Sequence, residues 1–146
     1  MVSLSVIAQE HLNIKNIFDK YGKQEGSVLV QLSTDILSQG SKITFYKSLI
    51  IGEDDALATI IIKAINSDMA KGSKISEVAK NGKLETGTYV LKSDKESYEY
   101  ILYKNKSKKI SLVYLIGNFP PDRLDSELNE LKDLFIYVNN KRLKLQ

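Results

Sequence analysis

The sequence predicts an α+β fold: an antiparallel sheet of about five strands, with helices packed on one face, in the order α-β-β-α-β-β-β-α. Three observations carry this. Several apolar runs alternate with period two and follow one another at hairpin distance, which favours antiparallel pairing. Other segments repeat apolar residues at helical spacing and need one face of a sheet to cover them. The chain has 146 residues, 42% of them hydrophobic and 27% charged, with no cysteine. That length suits one domain able to bury a core without a disulfide or metal staple.

The first helix is expected over Asn13–Tyr21, with Asn13 as cap, Ile14, Ile17 and Phe18 on one face, and Gly22 closing it. Gly26 then opens a strand in which Val28, Val30 and Leu32 alternate with their neighbours. Residues 33–40 read as a capped helical turn. The run from Lys42 to Ile51 is a strand with Ile43, Phe45, Leu49 and Ile51 on one side and Thr44, Tyr46, Ser48 and Ile50 on the other; its end near Ile50 is expected to be buried on both sides. The strongest helix follows, capped by Asp54 or Asp55, with Leu57, Ile60, Ile61, Ala64, Ile65 and Met69 recurring at helical spacing and Gly72 ending it.

Segment 73–84 has two readings. Asn81-Gly82 suits either a type I′ hairpin turn or a helix stop, and Ile75, Val78 and Ala79 favour a short helix. Strands are expected at 86–92, 97–104 and 109–117. Pro120 and Pro121 break the pattern, and Asp122 starts a final amphipathic helix bearing Leu124, Leu128, Leu131 and Phe135. FIYV at 135–138 is either a last edge strand or the end of that helix, and the basic tail beyond it is frayed.

The composition excludes several chemistries. With no cysteine there is no thiol catalysis, thiolate metal site or disulfide. The one histidine, His11, sits in the N-terminal segment, where a catalytic base is poorly preorganised. No G-x-S-x-G elbow or phosphate-cradling loop is present; AKGSK at 70–74 lacks the required glycine spacing. The acidic clusters Glu53, Asp54, Asp55 and Asp122, Asp125, Glu127 stand at expected helix starts, where negative charge caps free N–H groups. No catalytic residue, cofactor or metal is assigned, and a non-enzymatic domain is expected.

Residues 1–9 carry no charge and are mostly apolar, and charged residues begin at Glu10. Val6 and Ala8 are placed like the −3 and −1 positions of a signal-peptidase site. The expectation is that residues 1–8 are the remnant of a secretory signal peptide, with Met1 internal to a longer one. Residues 9–146 then form the domain, in a periplasmic or otherwise exported protein. No stretch reaches the roughly 18 apolar residues of a membrane span.

The binding candidates lie around the last hairpin. Lys104, Lys106, Lys108 and Lys109 crowd a turn between strands holding Tyr98, Tyr100, Tyr103 and Tyr114. A basic face lined with exposed tyrosines suits single-stranded nucleic acid, acidic lipid headgroups or polyanionic glycans. Nucleic acid is the poorest fit: the net charge is +3 and Arg123 and Arg142 are the only arginines. A lysine-rich hairpin tip also keeps a sheet soluble and blunts strand pairing. The expected partner is an envelope protein or a small envelope component, with polyanion or headgroup binding as the alternative.

The strings IFDKYGKQEGSVLVQLS at 17–33, FYKSLII at 45–51, TGTYVLK at 86–92 and YILYKNKSKKISLVYLIG at 100–117 resemble those of small exported bacterial domains of unknown function, a Bacteroidetes-type uncharacterised α+β family. The resemblance covers most of residues 13–118. It implies export and a compact α+β form, and supplies no activity to carry over.

Overall fold

The computed structural model describes residues 12–32, 42–69, 72–94 and 97–131. The elements are α1 (Asn13–Tyr21), β1 (Val28–Leu32), β2 (Ile43–Gly52), α2 (Asp55–Asp68), β3 (Ser73–Lys80), β4 (Lys83–Asp94), β5 (Ser97–Lys106) and β6 (Lys109–Gly117). A 3-10 turn at Pro121–Arg123 leads into α3, helical from residue 124 to the end of the described chain at 131. The calls on residues 1–11, on the turn at 33–40, and on Phe135, FIYV and the tail lie outside the described residues.

All strands join one antiparallel sheet in the order β1-β2-β6-β5-β4-β3. Among the described residues it has six strands where about five were expected. The extra strand is β3, in the segment with two readings, and the hairpin holds over the short helix. Asn81 (φ 55°) and Gly82 (φ 76°) both take the left-handed region and set Lys80 against Lys83. The Asn-Gly pair makes the two-residue hairpin turn and does not stop a helix.

Strand alternation gives the sheet two apolar faces. On one, Leu49, Ile51, Tyr89, Leu91, Ile101, Tyr103, Ile110, Leu112, Tyr114 and Ile116 pack under α1 and α2. The stripe Ile14, Ile17 and Phe18 of α1 and the stripe Leu57, Ala58, Ile61 and Ile65 of α2 complete this core. Ile60, expected in the stripe, is exposed because the buried arc of α2 centres on Ile61.

On the opposite face Ile43, Tyr100, Val113 and Leu115 pack with Phe119, Leu124 and Leu131, so α3 lies across the sheet from the other two helices. Ile43 reaches this face because the β2–β6 register shifts between Ile43 and Phe45, which places these two residues on different faces. Phe45 packs on the α1/α2 side with its ring edge-on to Tyr114 at 5.9 Å. Ile50 is exposed, contrary to the expectation of two-sided burial: its cross-strand neighbour is Val28, also exposed.

The helix ends differ from expectation in both α1 and α2: α2 closes at Met69, not at Gly72. Asp54 Oδ1 accepts from the N–H groups of Ala56 (2.9 Å) and Leu57 (3.2 Å), so Asp54 is the cap of α2. Asn13 does not cap α1. Leu12 occupies the cap position without a side-chain bond, and Asp68 of α2 supplies the acceptors instead.

Candidate functional site

The lysine hairpin forms as expected. Lys106 pairs with Lys109 across a two-residue turn, and Lys104, Lys106, Lys108 and Lys109 are all exposed. Ser107 (φ 57°) and Lys108 (φ 65°) occupy left-handed conformations that usually favour asparagine and glycine. Lys106 Nζ lies 3.5 Å from a Glu85 carboxylate oxygen, so part of the tip charge is answered within the fold. The Glu53 N–H donates to the Lys108 carbonyl at 3.0 Å and ties the tip to the entry of α2.

The tyrosines do not line a common binding face. Tyr98 and Tyr100 point to the α3 side and Tyr103 and Tyr114 to the α1/α2 side, because strand alternation separates them. Tyr100, Tyr103 and Tyr114 are buried, and Tyr98 is half-buried. The expectation of exposed tyrosines fails because helices cover both faces.

Their hydroxyls act in the core. The Tyr100 hydroxyl donates to the Phe119 carbonyl at 2.7 Å, and the two rings stack at 5.4 Å. The Tyr114 hydroxyl donates to Glu99 Oε1 at 2.6 Å, and the Tyr89 hydroxyl to Glu77 Oε2 at 2.7 Å. Burial raises the phenol of each well above its ordinary range, and the carboxylate acceptors of Tyr114 and Tyr89 add to the rise. Tyr103 is raised by burial as well. Its hydroxyl and the Asn105 amide, two residues along the same strand, are buried without a hydrogen-bond partner among the described residues.

The acidic clusters have structural roles. Lys83 Nζ lies 3.5 Å from Glu53 and 3.4 Å from Asp55, and Asp54 is committed to its cap. Glu127 is buried, and its Oε1 accepts from the Lys42 N–H at 3.3 Å, fastening α3 to the start of β2. Lys47 is buried on the sheet under α1, its amine 5.1 Å from the centre of the Phe18 ring. Burial pulls this amine below the ordinary lysine range. Among the described residues no group of three acidic or histidine side chains converges as a metal site.

Among the described residues, one feature open to a partner is the β1 corner. An open cleft of about 330 Å³ lies between the end of α1, the end of β2 and the start of α2, lined among others by Tyr21, Gln24, Ile51, Leu57 and Ile60. Beside it runs β1, one edge of the sheet. Val28 is 52% exposed, Leu29 43% and Ile50 38%. Leu29 sits against Gly22, at the end of α1, where an added Cβ would come within 3.0 Å of the Leu29 side chain. The sequence placed Val28 and Ile50 on strands, and its reading expected burial near Ile50 where the described residues leave the corner open. The available signal was the brevity of VLVQL and its freedom from charge.

An antiparallel sheet with helices on each face defines a small α+β domain, and among the described residues its β1 corner is open. The chain belongs to a family of unknown function, DUF6108, whose model matches residues 1–128. No curated protein matches it. No described helix is long and apolar enough to cross a membrane.

Proposed function

We propose that this chain is an exported, non-enzymatic domain that binds a protein partner of the cell envelope by strand addition at β1. The observation that carries the reading is the β1 edge. It is uncharged, keeps an unbroken register with β2 over its five pairs, and exposes Val28 and Leu29. No described strand pairs with its outer side, and such an edge offers its N–H and C=O groups as a template for another strand. The commitment of Asp54, Glu53, Asp55 and Glu127 to caps, ion pairs and backbone acceptance supports a non-enzymatic role. The uncharged apolar start, with Val6 and Ala8 at signal-peptidase spacing, supports export.

The test has two parts. N-terminal sequencing of the native protein is expected to read from Gln9, and a chain still starting at Met1 or upstream of it overturns export. Hydrogen exchange at residues 28–32 is expected to slow when envelope proteins are added. Unchanged exchange there overturns strand addition.

Polyanion or lipid-headgroup binding through the hairpin is a second reading, favoured by four exposed lysines on one tip. It requires binding to heparin-like polymers or anionic vesicles that falls steeply with salt. Joint replacement of Lys106, Lys108 and Lys109 by glutamine must abolish that binding.

A further inference from the structure

Of the four buried tyrosines among the described residues, three give their hydroxyl to a protein acceptor: Tyr89 to Glu77, Tyr100 to the Phe119 carbonyl and Tyr114 to Glu99. Tyr103 does not. It is 2% exposed, and Asn105, two residues on and on the same face of β5, is 6% exposed. The Tyr103 hydroxyl and both ends of the Asn105 amide are buried with no hydrogen-bond partner among the described residues. Three unanswered polar atoms in one place are more than a folded core leaves dry.

The surroundings say what can answer them. β5 is an inner strand, with Gly87 and Leu112 opposite Tyr103 and Ile110 opposite Asn105, and none of these neighbours has a polar side chain. The Asn105 amide lies near enough to the Tyr103 hydroxyl to oppose the rise that burial imposes on the phenol, yet no bond joins them. A direct bond would in any case satisfy the hydroxyl and one end of the amide, and leave the other end buried alone.

We propose that Tyr103 and Asn105 hold an internal water molecule on the α1/α2 side of β5. Water has two donors and two acceptors, so one molecule can serve all three atoms. It accepts from the amide N–H, donates to the amide oxygen and completes the phenol, and three bonds are the usual number for a buried water. An ion fits the same atoms less well. A cation meets the amide N–H groups and the nearby Lys83 charge, and an anion meets the amide oxygen and Glu53, both of which act on the Tyr103 hydroxyl. The site is independent of the β1 edge.

Water-selective NOE and ROE spectra of the full chain, labelled with 15N, test the proposal without substitution. The Asn105 side-chain amide protons are expected to show cross-peaks at the water frequency with the sign of a long-lived internal molecule. Spectra in which another part of the chain contacts the amide in the water's place overturn the proposal, and so does an amide that contacts no water. Thermal unfolding of variants gives a second readout. Tyr103→Phe is expected to lower Tm by roughly 2–4 °C, the shift that one net hydrogen bond produces in a chain of this length. In an Asn105→Leu background the same change is expected to raise Tm, because the hydroxyl has by then lost its bridge and an apolar pair needs no water. A Tyr103→Phe variant at least as stable as the wild type overturns the proposal, since removal of an unanswered hydroxyl stabilises. An equal fall in both backgrounds also overturns it, because the hydroxyl then acts apart from the amide.

Discussion

Asp68, the last residue of α2, accepts the backbone N–H of Asn13, the first residue of α1, at 2.6 Å; its other carboxylate oxygen accepts the next N–H, of Ile14, at 2.9 Å. The Asn13 side chain adds a third bond at 2.9 Å. One carboxylate thus satisfies two of the orphan donors of α1 from 55 residues away and fixes how the two helices meet.

Asp68→Ala is expected to cost about 1–2 kcal/mol, the scale of a lost helix cap. Asn13→Ala is expected to cost less, because the backbone donors keep their acceptor. Urea unfolding of the two variants measures the difference.

Gly117 lies under the Phe119 ring, where an added Cβ would collide with it. Gly117→Ala is expected to displace that ring from its stack on Tyr100 and cost about 1–3 kcal/mol by overpacking. Tyr100→Phe is expected to cost a similar amount by leaving the Phe119 carbonyl without its donor. Because both act on one contact, a double-mutant cycle is expected to show coupling.

The buried phenols set an alkaline limit. Burial raises Tyr46, Tyr89, Tyr100, Tyr103 and Tyr114 above their unfolded range, which is about 10. A group whose folded pKa is raised contributes fully below its unfolded pKa and loses that contribution as pH rises through the folded one. Stability is expected to fall as pH climbs above about 10. Phenolate absorbance from these five residues is expected to appear together with the loss of circular dichroism; a separate, earlier rise from them contradicts the burial.

Ser107 and Lys108 hold a turn geometry that suits asparagine and glycine. Lys108→Gly is expected to raise stability by about 1 kcal/mol, since glycine has no steric penalty in the left-handed region. The change also removes one tip charge. An increase in Tm with a loss of heparin binding separates the turn's energetics from any role in anion contact.

Much of the sheet was legible because its hairpins carry local signals. Alternation from Tyr98 to Leu102 and from Ile110 to Ile116 assigned both strands, and the closely spaced runs implied antiparallel pairing. β3 was half legible: Asn81-Gly82 allowed the hairpin, but Ile75, Val78 and Ala79 fall at the spacing of a helical stripe while in the structure none of them is buried. The shift between Ile43 and Phe45 left no mark in a sequence where both residues are apolar. The tyrosines were assigned to the right strands and the wrong environment: alternation names the two faces but does not say that α3 covers the second. Asp68 could not be identified as the cap of α1 from local sequence, since its partners are distant in the chain. The open corner at β1 was hidden for the same reason, because exposure depends on which elements fail to reach it.

The strand order has a consequence for how the chain folds. β3, β4, β5 and β6 each pair with their sequence neighbour, so they can zip up as a meander of local hairpins. β1 and β2 pair with each other as well, but this pair joins the meander only where β2 meets β6, with Ile51 opposite Ile110 and a helix and three strands between them in the chain. Closing so long a loop is the slow, non-local step. The seam between β2 and β6 is therefore expected to set the rate of folding, and losses of packing at Leu49 or Leu112 are expected to slow folding where equal losses at β3 speed unfolding, which stopped-flow refolding of the variants measures.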